Sequence, residues 1–114
     1  MTASNRSAPL TLAESDLLQT LSARWTMHIL LALYASKDSG RFGEIQEAVS
    51  GISNRVLSSR LADLESSGLV SRNVNATRPV TIIYKLTSRG RRVAGALTHL
   101  CEVAESPLDM GDTS

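Results

Sequence analysis

Cysteine is nearly missing from this 114-residue chain. The single Cys101 excludes an intramolecular disulfide and any cysteine-cluster zinc site. Histidine is almost as scarce, His28 and His99 being the only two. His99 and Cys101 lie two apart, and on a helix that spacing points side chains in different directions, so no metal site is expected. No nucleophile and base stand in a recognisable arrangement and no glycine-rich phosphate loop occurs, so neither an enzyme nor a cofactor is expected. No apolar run approaches the roughly eighteen residues of a membrane span. The start, Met1 to Pro9, is rich in Ser, Ala and Thr and lacks the apolar stretch of a secretory signal, so the expected location is the cytoplasm, with no membrane partner. What is present, 42% apolar residues in a chain of this length, fits one compact domain with a modest core.

The net charge of +1 conceals a segregation. Residues 1–40 balance three basic against three acidic groups; residues 41–92 hold nine basic and four acidic; residues 93–114 hold no basic group and four acidic ones. The middle therefore carries +5 and the end −4. Excess positive charge in one segment is what phosphate contacts and counterion release require.

Within the basic segment, Gly51-Ile52-Ser53-Asn54-Arg55-Val56-Leu57-Ser58-Ser59-Arg60-Leu61 reads as a turn followed by an amphipathic helix over about 53–67. Leu57, Leu61 and Leu64 recur at i, i+4 and i+7 and form one buried stripe. Arg55, Ser59 and Ala62 fall opposite it, with Ser58 on the flank. Ser53 is suited to cap the helix, and Gly51 to form the turn before it. An ordinary solvated helix would carry Glu and Lys on its outer face. Short hydroxyl and amide side chains instead let a backbone approach a duplex closely. Arg55 can donate a bidentate pair to guanine, Asn54 can pair with adenine, and Ser58 and Ser59 can meet a phosphate or a base. Arg60 lies nearer the buried stripe, placed either for a phosphate or for an acidic neighbour such as Glu44. The plainer alternative for the segment is a serine-rich solvated helix.

The flanking sequence builds a frame for this helix. Leu17, Leu18 and Leu21 mark a first helix from Leu12, with Thr11 and Glu14 spaced as a capping box. Trp25 to Tyr34 is so densely apolar that a central helix buried all round is expected. Ser36 to Gly40 breaks it. Phe42, Ile45 and Val49 then space a short helix, which with the turn at Ser50–Ile52 completes a helix-turn-helix. Arg41 and the amides near Gly43 are placed as phosphate anchors. Gly68 is positioned as a left-handed C-cap followed by apolar Leu69. Val70 to Val74 alternates, Asn75 to Pro79 has loop character and Val80 to Leu86 is β-branched and aromatic, which together predict a hairpin. Its tip carries Arg78 and its flanks Arg72 and Lys85, as a wing lying on a sugar-phosphate backbone or reaching the minor groove would. Thr87 or Ser88 caps a last helix running to about Glu105. Arg89, Arg91 and Arg92 open that helix at the end its dipole disfavours for cations, which suggests a DNA or partner role. Residues 1–9 and an acidic tail over 106–114 are expected to be disordered around a domain spanning 10–105. The fold class is α+β, mainly helical: a winged helix-turn-helix with additional terminal helices.

The succession Arg24-Trp25-Thr26, Arg41-Phe42-Gly43-Glu44-Ile45, Gly51-Ile52-Ser53, Val56-Leu57, Arg60-Leu61, Leu64-Glu65, Gly68-Leu69-Val70, Tyr84-Lys85-Leu86-Thr87 and Gly90 resembles the HxlR-type winged-helix transcriptional regulators, near the MarR group. The resemblance covers roughly residues 12–105. It implies a homodimer made by the first and last helices and a double-stranded DNA partner bearing an inverted repeat. It also places Ser53, Asn54, Arg55, Ser58, Ser59 and Arg60 against the duplex. Many members carry a cysteine before a proline at the start of the first helix; here Leu12 and Ala13 stand there, so sensing through that thiol is not available. The usual Gly-Gly-Lys before the tryptophan is Ser22-Ala23-Arg24. Cys101, near the expected dimer seam, is a different redox candidate. A small-molecule effector is expected near Leu17, Leu21, Trp25, Met27, His28 and Leu100, between the core and the dimer helices. The alternative function is a winged-helix module for protein contacts, which predicts no salt-dependent DNA affinity.

Overall fold

The computed structural model describes residues 9–106. The segments expected to be disordered lie, but for Pro9 and Ser106, outside the described residues. Five helices and three short strands follow in the order α1 (Leu12–Ser22), α2 (Thr26–Ala35), β1 (Ser39–Gly40), α3 (Phe42–Ala48), α4 (Asn54–Ser66), β2 (Val70–Asn75), β3 (Thr81–Leu86) and α5 (Ser88–Glu105). The strands form one antiparallel sheet in the order β1-β3-β2. This is a winged helix-turn-helix, mainly helical, as the sequence predicts.

Local chemistry sets the boundaries. Thr11 Oγ1 accepts from the Glu14 amide at 3.1 Å while Glu14 Oε1 accepts from the Thr11 amide at 3.0 Å, so the expected capping box closes α1. Trp25, expected as the first helical residue of α2, instead stands just before it with φ 78°. At the end of α4 the Leu69 amide reaches the Leu64 carbonyl (3.0 Å) and the Gly68 amide that of Glu65 (3.1 Å), the two bonds of a Schellman ending. Gly68 supplies the positive φ of 75° that this turn needs. Thr87 then accepts from the Gly90 amide at 3.0 Å and starts α5.

The core gathers one face of every helix: Leu21 of α1, Ile29, Leu30 and Leu33 of α2, Ile45 of α3, Leu57, Leu61 and Leu64 of α4, and Ala94 and Leu97 of α5. Leu69, Val70 and Leu86 close it at the base of the hairpin. Gly90 makes that closure possible. A Cβ there would stand 2.0 Å from the Leu69 carbonyl oxygen, so α5 crosses the strand base only where no side chain intervenes.

Two expectations need correction. The central helix is not buried all round: Met27 is 37% and Tyr34 41% exposed, because the other elements cover only part of its circumference. The segment Ser36 to Gly40 does more than break that helix. After two left-handed residues, Lys37 (φ 58°) and Asp38 (φ 72°), it contributes β1, pairing Ser39 with Lys85 and Gly40 with Tyr84.

Candidate nucleic-acid interface

Helix α4 is fixed at its N-terminus by the turn before it and by three hydrogen bonds. Gly51 turns the chain at φ 95° and Ile52 drops into the core. Ser53 Oγ accepts from the Val56 amide at 3.1 Å, as its position predicts. Gln46 of α3 then reaches across the turn, its Nε2 donating to Asn54 Oδ1 and, at 3.4 Å, to the Ile52 carbonyl. The leucine stripe is buried, and Ser53, Asn54, Arg55, Ser58, Ser59 and Ala62 are exposed. No carboxylate stands among those six side chains.

The Gln46 contact orients the Asn54 side chain. A bidentate pair with adenine needs both the carbonyl and the amino group. Gln46 takes one lone pair of that carbonyl and leaves the other, together with the amino group, for a base or phosphate. Nothing in the spacing of Gln46 and Asn54, eight apart, signalled that they would meet across the turn.

Arg60 is also partly engaged. Its Nε donates to the Arg24 carbonyl at 2.8 Å, and its guanidinium lies 3.9 Å from Asp63. Glu44 is not its partner: that carboxylate accepts from the Arg41 amide at 2.8 Å and caps α3. Arg60 thus ties α4 to the α1–α2 connection. The Arg24 guanidinium lies over the Trp25 ring at 4.9 Å, and the ring edge approaches Gly51. Arg41, at the N-terminus of α3, keeps an exposed side chain.

In the wing, Arg72 pairs in register with Tyr84, and Ser71 with Lys85. Directly paired residues share a face and successive residues alternate. Arg72 and Lys85 therefore project from opposite faces, and one flat run of phosphates cannot meet both. Arg78 lies in the exposed turn joining β2 to β3. The sequence placed all three on the wing, but their facing depends on the register.

The six residues expected around an effector are not brought together. Trp25 and His28, in edge-to-face contact at 5.4 Å, line a groove of 620 Å³ beside Leu31, Ala32 and Val49. Leu17 lines a separate groove against α5, Leu21 belongs to the core, and Met27 and Leu100 lie on the surface. Cys101 is exposed. Among the described residues no group of three or more potential metal ligands clusters, and no helix is long and apolar enough to cross a membrane.

A short capped helix with an outer face of hydroxyls, amide and arginine, flanked by a hairpin with a basic tip, defines the DNA-binding winged helix-turn-helix class. Within that class, residues 20–112 match the HxlR-like helix-turn-helix family, and the chain belongs to it. It is 40% identical over 89 residues to YvaP, an HTH-type transcriptional regulator of Bacillus subtilis, covering 78% of this chain and 81% of that protein. Among solved structures it resembles the reduced form of the Bacillus subtilis transcriptional regulator YodB, with TM-score 0.75 and 29% identity over 91% of this chain and all of that one. A possible HxlR family transcriptional factor from Thermoplasma volcanium gives TM-score 0.73 and 31% identity, covering 84% of each chain. The protein is therefore a transcriptional regulator of the HxlR/MarR type and not an enzyme.

Proposed function

We propose that the protein acts in the cytoplasm as a homodimer on an inverted-repeat operator, each α4 entering a major groove and each β2–β3 wing resting on the adjoining backbone or minor groove. The observation that carries this reading is the exposed face of α4, where Ser53, Asn54, Arg55, Ser58 and Ser59 stand without a carboxylate. Such a face lets the helix approach base edges closely and leaves Arg55 free for guanine. Arg41 and Arg78 supply phosphate contacts on either side, and Arg60 chiefly holds the helix in place. Ser53 is committed to its cap, so its part is positional.

The dimer reading is supported by apolar side chains exposed on the two terminal helices: Leu12 (85%) and Leu18 (53%) on α1, Leu100 (62%) and Val103 (69%) on α5. So much exposed apolar area on two neighbouring helices marks an interaction surface. For regulation, the Trp25–His28 groove, next to the turn before α4, is the candidate effector site, and Cys101 the candidate oxidation site. Selection of bound fragments from genomic DNA tests the reading. A dimer yields near-palindromic sites, whereas binding without sequence preference contradicts it.

A further inference from the structure

The side chain of Gln46 joins α3 to the first residue of α4. It is half-buried, and its Nε2 donates both to the Ile52 carbonyl (3.4 Å) and to Asn54 Oδ1. A backbone carbonyl only accepts, so the amino end of Gln46, and not its oxygen, must face the turn. With that end fixed, the group of Asn54 that faces Gln46 has to be an acceptor, which is the side-chain carbonyl. The order of both amides thus follows from the Ile52 carbonyl. A flipped Asn54 would set two amino groups against each other.

The turn that holds this arrangement is itself closed. The Ile52 amide donates to the Val49 carbonyl at 3.3 Å, Gly51 takes φ 95°, and Ser53 Oγ caps the helix. Asn54 follows as the first residue of α4; it is exposed, and its amino group has no hydrogen-bond partner among the described residues. In helix-turn-helix proteins the N-terminal residues of the second helix are those that meet base edges. An amide free to turn over offers a base its donor and acceptor in either order. A held amide offers one order, and so fits one arrangement of groups on the groove edge.

We propose that Gln46 is a positioning residue that determines specificity: acting through Asn54, it holds that amide in one orientation and so sets which base Asn54 accepts at one position of the half-site. This inference rests on the reading that α4 enters the major groove, and adds to it a residue of α3 outside the recognition face. Holding Asn54 in the free protein also removes side-chain freedom that would otherwise be lost on binding, so the correct base is met by a preorganised group.

The test is selection from a randomised duplex pool by the full-length wild type, Gln46→Ala, Gln46→Glu, Asn54→Ala and the double variant Gln46→Ala with Asn54→Ala. Gln46→Ala frees the Asn54 amide and should lower the preference for the favoured base at one position by about threefold or more, with the other positions unchanged. Gln46→Glu keeps the length of the side chain but turns only acceptors toward Asn54, so it should reverse the amide and change the preferred base at that position. Its charge weakens binding to every sequence alike, and leaves the order of preference elsewhere as it was. Once Asn54 is Ala, Gln46→Ala should have no further effect at that position. A merely structural role would lower binding to all sequences and move no base preference. Unaltered preference in both Gln46 variants, or the same Gln46 effect in the absence of the Asn54 amide, would overturn the positioning role while leaving the reading of α4 standing. A wild type that selects no common sequence would overturn that reading itself.

Discussion

Arg55 is the side chain on which sequence recognition turns. It lies opposite the buried leucines, is exposed, and has no ion-pair partner among the described residues. Arg55→Ala should cost about 1–3 kcal/mol of specific affinity and relax one base position. Competition binding against operator variants checks this, and an unaltered base preference would remove Arg55 from the readout. Gly90 has the opposite role, structural and remote from the duplex. Gly90→Ala sets a methyl carbon 2.0 Å from the Leu69 carbonyl oxygen, so α5 must shift away from the strand base. A loss of more than about 3 kcal/mol in denaturant unfolding is expected, at the upper end for overpacking of a closed core. Asn54 shows where reading residues singly runs out: its type and position suggested adenine, but not the Gln46 contact that orients its carbonyl.

Among the elements, those whose signal is local were legible in the sequence. The capping box of α1, the Ser53 cap, the leucine stripe of α4, the glycine-ended turn at Gly68 and the Thr87 cap each depend on a few neighbouring residues, and each forms as its spacing predicts. Pairings between distant segments were not legible. β1 is two residues long and exists only because Lys85 and Tyr84 lie beside it. Arg60 finds the Arg24 carbonyl 36 positions away. The wing shows both sides: its strands follow from alternation, but the placing of Arg72 and Lys85 on opposite faces follows from register. Arg78→Ala should weaken binding to all sequences by a similar factor and lower the salt slope by about one for each phosphate that Arg78 neutralises. If Arg72 faces the backbone, Lys85→Ala should leave that slope unchanged; equal effects from both would refute the two-faced wing. For α1, Thr11→Ala removes one half of the capping box and should cost about 1 kcal/mol in thermal or denaturant unfolding.

At the scale of the whole molecule, the chain is polarised. Positive charge gathers over residues 41–92, which hold the recognition helix and wing, and negative charge over 93–114. Exposed apolar residues on α1 and α5 include Leu12, Leu18, Leu100 and Val103. One surface thus suits a polyanion and another suits a second copy, which is the division of labour a dimeric regulator requires. Two-fold symmetry then fixes the spacing of the two α4 helices, and hence of the half-sites.

The most direct measurement is selection of genomic fragments by the purified protein at about 0.15 M salt, an ionic strength that discriminates against purely electrostatic binding, followed by footprinting of the enriched fragments. The account predicts protection of a near-palindrome whose half-sites lie about 10 bp apart or a multiple of that. Protection of a single unrepeated half-site, or retention of fragments with no common sequence, would contradict it.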